Sequence, residues 1–208
     1  VRRPGYRAHE AHLRKALQTV EAEKALIIEG DLLSLDLVTC QSDVIDFHRL
    51  LKLGDESSLA QAVALRKSSL LQGFSVPDAP MFEDWVQLEN SNLNQAYLDA
   101  LQRLTGWMEE QGAWSSAIGY LRQATQLDPL SEASQQRLIR LYLKQGEVGL
   151  ALRQYRQFEN QLNNELGIKP SRETKALYEE VLRQQGKPVI TTSAARPMRS
   201  PAPLPSPR

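Results

Sequence analysis

Gly112-Ala-Trp-Ser-Ser-Ala117-Ile-Gly-Tyr-Leu121 and Gly146-Glu-Val-Gly-Leu-Ala151-Leu-Arg-Gln-Tyr155 decide how this chain is read. They align glycine on glycine and alanine on alanine at a constant offset of 34 residues. A glycine at the head of each stretch permits a tight reversal between antiparallel helices, because it enters left-handed backbone space without steric cost. The small alanine five positions on lets the following helix approach its neighbour closely. A unit of this length is one helical pair, which cannot bury its apolar face alone and must stack on others of its kind.

Outward from the repeat, the pattern stays helical. Asp128-Pro129 separates one pair from the next, proline being tolerated at a helix start. The second pair is expected over Ser131 to Gln145 and Glu147 to about Asn164, with Val148, Ala151, Tyr155, Phe158 and Leu162 as its stripe. Gly167-Ile-Lys-Pro170 breaks the chain, and Ser171 is placed to cap a last helix that runs to Gln185 and ends at Gly186. Upstream, a helix of about thirty residues is expected from Met81, with Trp85, Leu88, Leu93, Tyr97, Ala100, Leu104 and Met108 recurring at threes, fours and fives. Before it, Asp43 to Leu53 carries Val44, Phe47, Leu50 and Leu51 on one side and stops at Gly54-Asp55. Ser57 or Ser58 is then expected to cap a helix to about Leu71, with a loop from Gly73 to Pro80. The 34-residue period is that of tetratricopeptide repeats.

The first segment differs. Leu13, Ala16, Leu17 and Val20 form one apolar stripe on a helix from about Arg7 to Glu21. At about 100° per residue, Arg7, Ala8, Ala11, Arg14, Lys15 and Gln18 fall on the opposite side, so the exposed face is small and basic. Ala25-Leu-Ile-Ile-Glu29 and Leu32-Leu-Ser-Leu-Asp36 around Gly30-Asp31 read as a β-hairpin.

Composition narrows the functional classes. Lys plus Arg and Asp plus Glu are 25 each, so a nucleic-acid role must come from where the charges sit. Arg2, Arg3, Arg7, Arg14 and Lys15 stand against Glu10 in the first helix and its approach, and every charge from Lys187 onward is basic. The single Cys40 rules out an internal disulfide and a cysteine cluster for zinc, in keeping with a cytoplasmic protein. No run approaches the roughly 18 apolar residues a membrane span needs. His9 and His12 stand at i and i+3 but have no third ligand at metal-site spacing, so no metal is expected; His48 is expected at or near the surface. No nucleophile elbow or phosphate-cradling glycine loop occurs, and no enzyme activity, cofactor or small-molecule substrate is expected. Trp85, Trp107, Trp114, Tyr97, Tyr142 and Tyr155 are expected to plug helix interfaces rather than line a peptide groove. Residues 187–208 hold six of the eleven prolines and no apolar period, and are expected to be a disordered linker. With Val1 in mid-pattern and a linker at the end, the chain is expected to be a piece of a longer protein.

Ala11-His-Leu-Arg-Lys-Ala-Leu17 followed by the hairpin resembles the second half of the OmpR-type winged helix in SARP-type antibiotic-regulatory activators. Phe82-Glu-Asp-Trp85, Leu141-Tyr-Leu-Lys-Gln-Gly146, Ala151-Leu-Arg-Gln-Tyr155, Glu165-Leu-Gly-Ile-Lys-Pro-Ser171 and Thr174-Lys-Ala-Leu-Tyr178 are similar to the bacterial transcriptional activator domain. The resemblance implies a mainly α chain: a tetratricopeptide-like antiparallel array preceded by a partial winged helix, recognition helix plus β-hairpin wing. Its divisions would be 1–41 (end of the winged helix), 42–186 (helical activator domain) and 187–208 (linker). It further implies promoter DNA as a partner through the complete winged helix, with Arg7, Ala11, Arg14, Lys15 and Gln18 facing the groove. The helical domain would meet RNA polymerase or a second copy of the chain. The alternative is a repeat scaffold that binds proteins and never touches DNA.

Overall fold

The computed structural model describes residues 5–19, 22–29, 32–36 and 38–185, the side chains of residues 5–10 and of Glu23 excepted. Within them run α1 (Gly5–Gln18), a 3₁₀ turn (Glu23–Ala25), the strands β1 (Leu26–Glu29) and β2 (Leu32–Leu35), and then helices only. These are α2 (Asp43–Leu53), α3 (Glu56–Leu65), α4 (Pro80–Glu110), α5 (Trp114–Leu127), α6 (Glu132–Lys144), α7 (Val148–Leu166) and α8 (Arg172–Gln185). The fold is the mainly helical one expected, with a single small hairpin among the described residues. The hairpin tip, Gly30-Asp31, and the expected linker at 187–208 lie outside the described residues.

The two aligned glycines sit in reversals built alike. Gly112 has φ 72° and Gly146 φ 77°, both left-handed. The Ala113 N–H donates to Met108 O at 2.7 Å, and the Glu147 N–H to Tyr142 O at 2.9 Å; Gln111 to Trp107 and Gln145 to Leu141 form a second equivalent pair. The hydrogen-bond pattern therefore repeats at the same 34-residue offset as the sequence. Ala117 and Ala151 then lie fully buried at the start of α5 and α7, where a larger side chain would hold the paired helices apart.

Each helix packs on its sequence neighbours from α2 to α8, and α6 also touches α8. One apolar cluster gathers Phe47, Leu59, Leu93, Leu101, Leu104 and Ala124. A second gathers Met108, Leu121, Leu138, Tyr142, Tyr155 and Val181. Trp107 and Tyr120 touch both clusters and make the two continuous. At about 1.5–3 kcal/mol for each large apolar side chain removed from water, these interfaces, rather than helix propensity, hold the array together.

Polar side chains cap the starts of α2, α3 and α8 and set the end of α3. Ser42 caps α2 by accepting from the Ile45 N–H. Asp55, not Ser57 or Ser58, caps α3: its carboxylate accepts the Ser58 N–H at 3.0 Å and the Ser58 hydroxyl at 2.6 Å, bonds that hold its pKa below the ordinary value. α3 also stops at Leu65 instead of reaching Leu71. Two side chains of α4 claim the segment that follows, since Asn94 accepts from Arg66 while Asn90 both accepts the Leu70 N–H at 2.8 Å and donates to Leu70 O at 3.2 Å. A helix through Leu70 would have to give those bonds up.

At the other end, Ser171 caps α8 as expected, its hydroxyl accepting the Thr174 N–H at 3.2 Å. Glu132 at the start of α6 reaches across to accept both the Ser171 N–H, at 2.8 Å, and the Thr174 hydroxyl. Burial opposes ionisation of Glu132, but the bonds from Ser171 and Thr174 outweigh it and hold the carboxyl below its ordinary pKa. Of the aromatics, Tyr97, Tyr142 and Tyr155 are buried, and Tyr155 stacks on Tyr178 at 4.2 Å. Burial first, then the neighbouring Glu159, pushes the Tyr155 hydroxyl up to about 12. Trp107 and Trp114 pack against the core, beneath Arg103 and Lys144 respectively. Trp85 departs from the expectation: it is 47% exposed and plugs no interface.

Candidate nucleic-acid interface

α1 carries the residues that the sequence singled out, and its described side chains are exposed all round apart from Leu17. Ala11, Arg14, Lys15 and Gln18 are all exposed, while Leu17 on the opposite side is half-buried. Arg7 lies in α1, but its side chain is outside the described residues. α1 has no acidic residue in its first turn, and Lys15 stands in its last, where a cation complements the negative helix end. Thr19 closes the helix by donating to Ala16 O at 2.6 Å.

The hairpin follows directly. β1 and β2 pair antiparallel in the register Leu26 to Leu35, Ile27 to Ser34, Ile28 to Leu33 and Glu29 to Leu32. The Asp36 N–H donates to Ala25 O at 2.7 Å, carrying the ladder down to Ala25, which is buried. Asp36 then turns the chain away, its carboxylate accepting the Val38 N–H and the Thr39 hydroxyl. α1 contacts the 3₁₀ turn at the hairpin's base. The result is a helix with a polar, partly cationic outer face beside a two-stranded ribbon. The underside stays partly open, Leu13 being 43% exposed.

Other candidate sites resolve into structural roles. An open groove of about 990 Å³ is bordered by α2, α3 and the segment after α3, with Arg49 and Arg66 on its wall. Arg49 is paired with Asp46 at 2.8 Å, and Arg66 is engaged by Asn94 and lies over the Tyr97 ring at 5.2 Å. Those cations therefore serve the fold. Arg137 on α6 bonds Glu109 at 2.8 Å and Gln102 at 2.9 Å on α4, tying the two repeats across α5. His48 is exposed with its ring against Phe47, and His9 is outside the described side chains. Among the described residues no group of three or more His, Cys, Asp or Glu is arranged to hold a metal ion. No helix among them is long and apolar enough to cross a membrane.

Antiparallel helical pairs stacked on one another behind a helix-and-hairpin unit place the chain among repeat-built helical proteins. Residues 42–182 match the family described as "Bacterial transcriptional activator domain", and the chain belongs to that family. The family is one of transcriptional activators, not of enzymes. No curated protein matches the chain. It is similar to the solved structure "Mycobacterium tuberculosis EmbR in complex with low affinity phosphopeptide", with 23% identity and a TM-score of 0.49 over 88% of this chain and 52% of that one. The chain thus spans about half the length of that protein.

Sequence reasoning missed the Glu132 strap and the Arg137 tie. Both join residues about thirty or more positions apart, and a lone acidic or basic residue on an amphipathic helix carries no sign of its partner.

Proposed function

We propose that this chain is part of a cytoplasmic, DNA-binding transcriptional regulator of the SARP class. In this reading residues 1–41 are the last part of a winged helix, with α1 as recognition helix and β1–β2 as wing. Residues 42–186 are the helical activator domain, which meets a protein partner such as RNA polymerase or a second copy of the chain. Arg7, Ala11, Arg14, Lys15 and Gln18 face the major groove of promoter DNA. Membership of the transcriptional activator family carries the reading. The exposed, partly cationic face of α1 beside the hairpin supports its DNA half. No cofactor, metal or small-molecule substrate belongs to it.

The test is a mobility-shift measurement on the protein carrying a complete winged helix, with duplexes selected from a random pool. Salt-sensitive binding is expected, and Arg14→Ala or Lys15→Ala should each weaken it several-fold, with a shallower salt dependence if the side chain meets a phosphate. Absence of any selected duplex at low salt would overturn the reading in favour of a protein-binding scaffold.

A further inference from the structure

α4 carries two apolar stripes, on opposite sides. From Leu93 onward its apolar residues, Leu93, Tyr97, Ala100, Leu101, Leu104 and Met108, are buried in the array. Before Leu93, Phe82 and Val86 stay half-buried on that same side, whereas Met81, Trp85 and Leu88 recur at i, i+4 and i+7 and are 84%, 47% and 59% exposed. The step from Leu88 to Leu93 is five residues, which at about 100° per residue swings the stripe to the far side of the helix. The first turns of α4 therefore present an apolar line outward in addition to the inward one that Phe82 and Val86 continue.

That outward line is held in place. Phe82 packs edge-on to Phe74 at 6.0 Å and against Trp85 at 5.8 Å. The Val76 N–H donates to Glu83 Oε1 at 3.0 Å, pinning the preceding loop to the helix. Phe74 is itself 56% exposed, so the patch is an aromatic platform continued by Met81 and Leu88. The stripe ends at Asn92 and Gln95, the latter bonded to Asp99 at 3.0 Å, which limits it to about two helical turns. Contiguous exposed apolar surface with a polar border marks an interaction site.

The border is acidic. Asp78, Glu83, Asp84 and Glu89 surround the stripe in sequence, and no Lys or Arg occurs between Lys67 and Arg103. In projection Asp84 and Glu89 flank the line of Met81, Trp85 and Leu88 on its two sides. A second copy of the chain docked face to face would set these carboxylates against their own kind, which is unfavourable. A cationic partner would neutralise them.

We propose that Met81, Trp85 and Leu88 of α4, with Phe74 beside them, form a docking surface for a cationic amphipathic helix of another protein. Apolar anchors of the partner pack on the aromatic platform, and its Lys or Arg side chains meet Asp84 and Glu89. The inference rests on the protein-contact half of the function proposed above and is independent of the DNA half.

The probe is a fluorescein-labelled Leu/Lys amphipathic peptide of about 18 residues, long enough to be helical on contact, titrated into the full chain with anisotropy as readout. A Leu/Glu peptide of the same apolar pattern is the counterpart. The Leu/Lys peptide is expected to bind in a salt-sensitive way, with roughly tenfold loss in Trp85→Ser or Leu88→Ser, since a central apolar anchor carries a large share of such an interface. Asp84→Asn with Glu89→Gln should lower the affinity and flatten its salt dependence. Leu166→Ser, at an exposed apolar site on α7, should bind like the parent. Circular dichroism verifies that each variant folds; Trp85, Leu88 and Leu166 are all exposed.

Equal binding of the Leu/Glu peptide, unchanged binding by the Trp85 and Leu88 variants, or no binding at low salt would each overturn the proposal. A dimer in sedimentation velocity that Leu88→Ser dissolves would overturn it in favour of a second copy. Duplex binding by the same variants in the mobility-shift assay reads the DNA half separately, so a failure of either can be told from a failure of the other.

Discussion

The helix-and-hairpin unit and the helical array are built from similarly patterned apolar segments, yet the two bury them to very different degrees. Leu121, Leu138 and Leu141 of the array are almost wholly removed from water, whereas Leu13, Leu32 and Leu35 remain substantially exposed. Among the described residues Ala25 is the one buried apolar side chain before Phe47. The difference teaches that an apolar period marks where a helix or a strand pair lies, but burial comes from a neighbour stacked on the apolar face. From α3 to α7 each helix has a packed neighbour on either side in sequence, while α1 touches only the short turn that follows it among its principal contacts. Local order and stability are thus carried by separate features of the chain.

The largest effect that would break this contrast is a cavity in the array. Leu141→Ala should cost about 2–5 kcal/mol, read by urea denaturation, because Leu141 is buried at the α6 interfaces. A loss under about 0.5 kcal/mol, the size expected for a surface site, would mean that the array packs loosely.

Next is the strap between α6 and α8. Glu132→Gln removes a charged acceptor shared by Ser171 and Thr174 and should cost on the order of 1 kcal/mol at pH 7. The folded pKa of Glu132 is lowered, so its contribution is fully present above the unfolded value of about 4.3 and is lost as pH falls through the lower folded value. The stability difference between parent and variant should therefore shrink from pH 7 towards pH 3. A difference independent of pH would show that the charge does not act at the strap.

The reversals come third. Nothing lies within 4 Å of a Cβ built on Gly112 or Gly146, so alanine at either place meets no clash and bears only the left-handed backbone. Gly146→Ala and Gly112→Ala should each cost about 1 kcal/mol. Unequal costs would break the equivalence of the two repeats. Smallest of all, Leu13→Ala should change global stability by less than about 0.5 kcal/mol, and a larger loss would show that α1 is buried against more than the short turn beside it.

The sequence was most legible where function and geometry share one residue. Gly112 and Gly146 announced the repeat because a left-handed reversal nearly demands glycine, and Ser171 announced α8 because a short polar side chain after a proline break is a favoured cap. The end of α3 was not legible, since Leu70 and Leu71 continue an apolar period and the side chain that overrides it, Asn90, lies on another helix. Trp85 was misread for a different reason. Its spacing from Leu88 is helical, and the five-residue step between Leu88 and Leu93 was in plain view, but a change of phase matters only once the buried side of α4 is known. The partners of Glu132 and Arg137 were not legible either, since each lies on another helix or beyond a chain break.

Glu132 gives the last helix a mechanical character. α8 follows a break at Gly167 to Pro170, and a helix in that position would ordinarily be the first to peel away. Instead, a side chain from α6 grips its first turn, and α6, α7 and α8 all touch one another. Force on the end of α8 would thus be shared by α6, α7 and α8 before it reached the reversal at Gly146, and α8 would serve as an anchor.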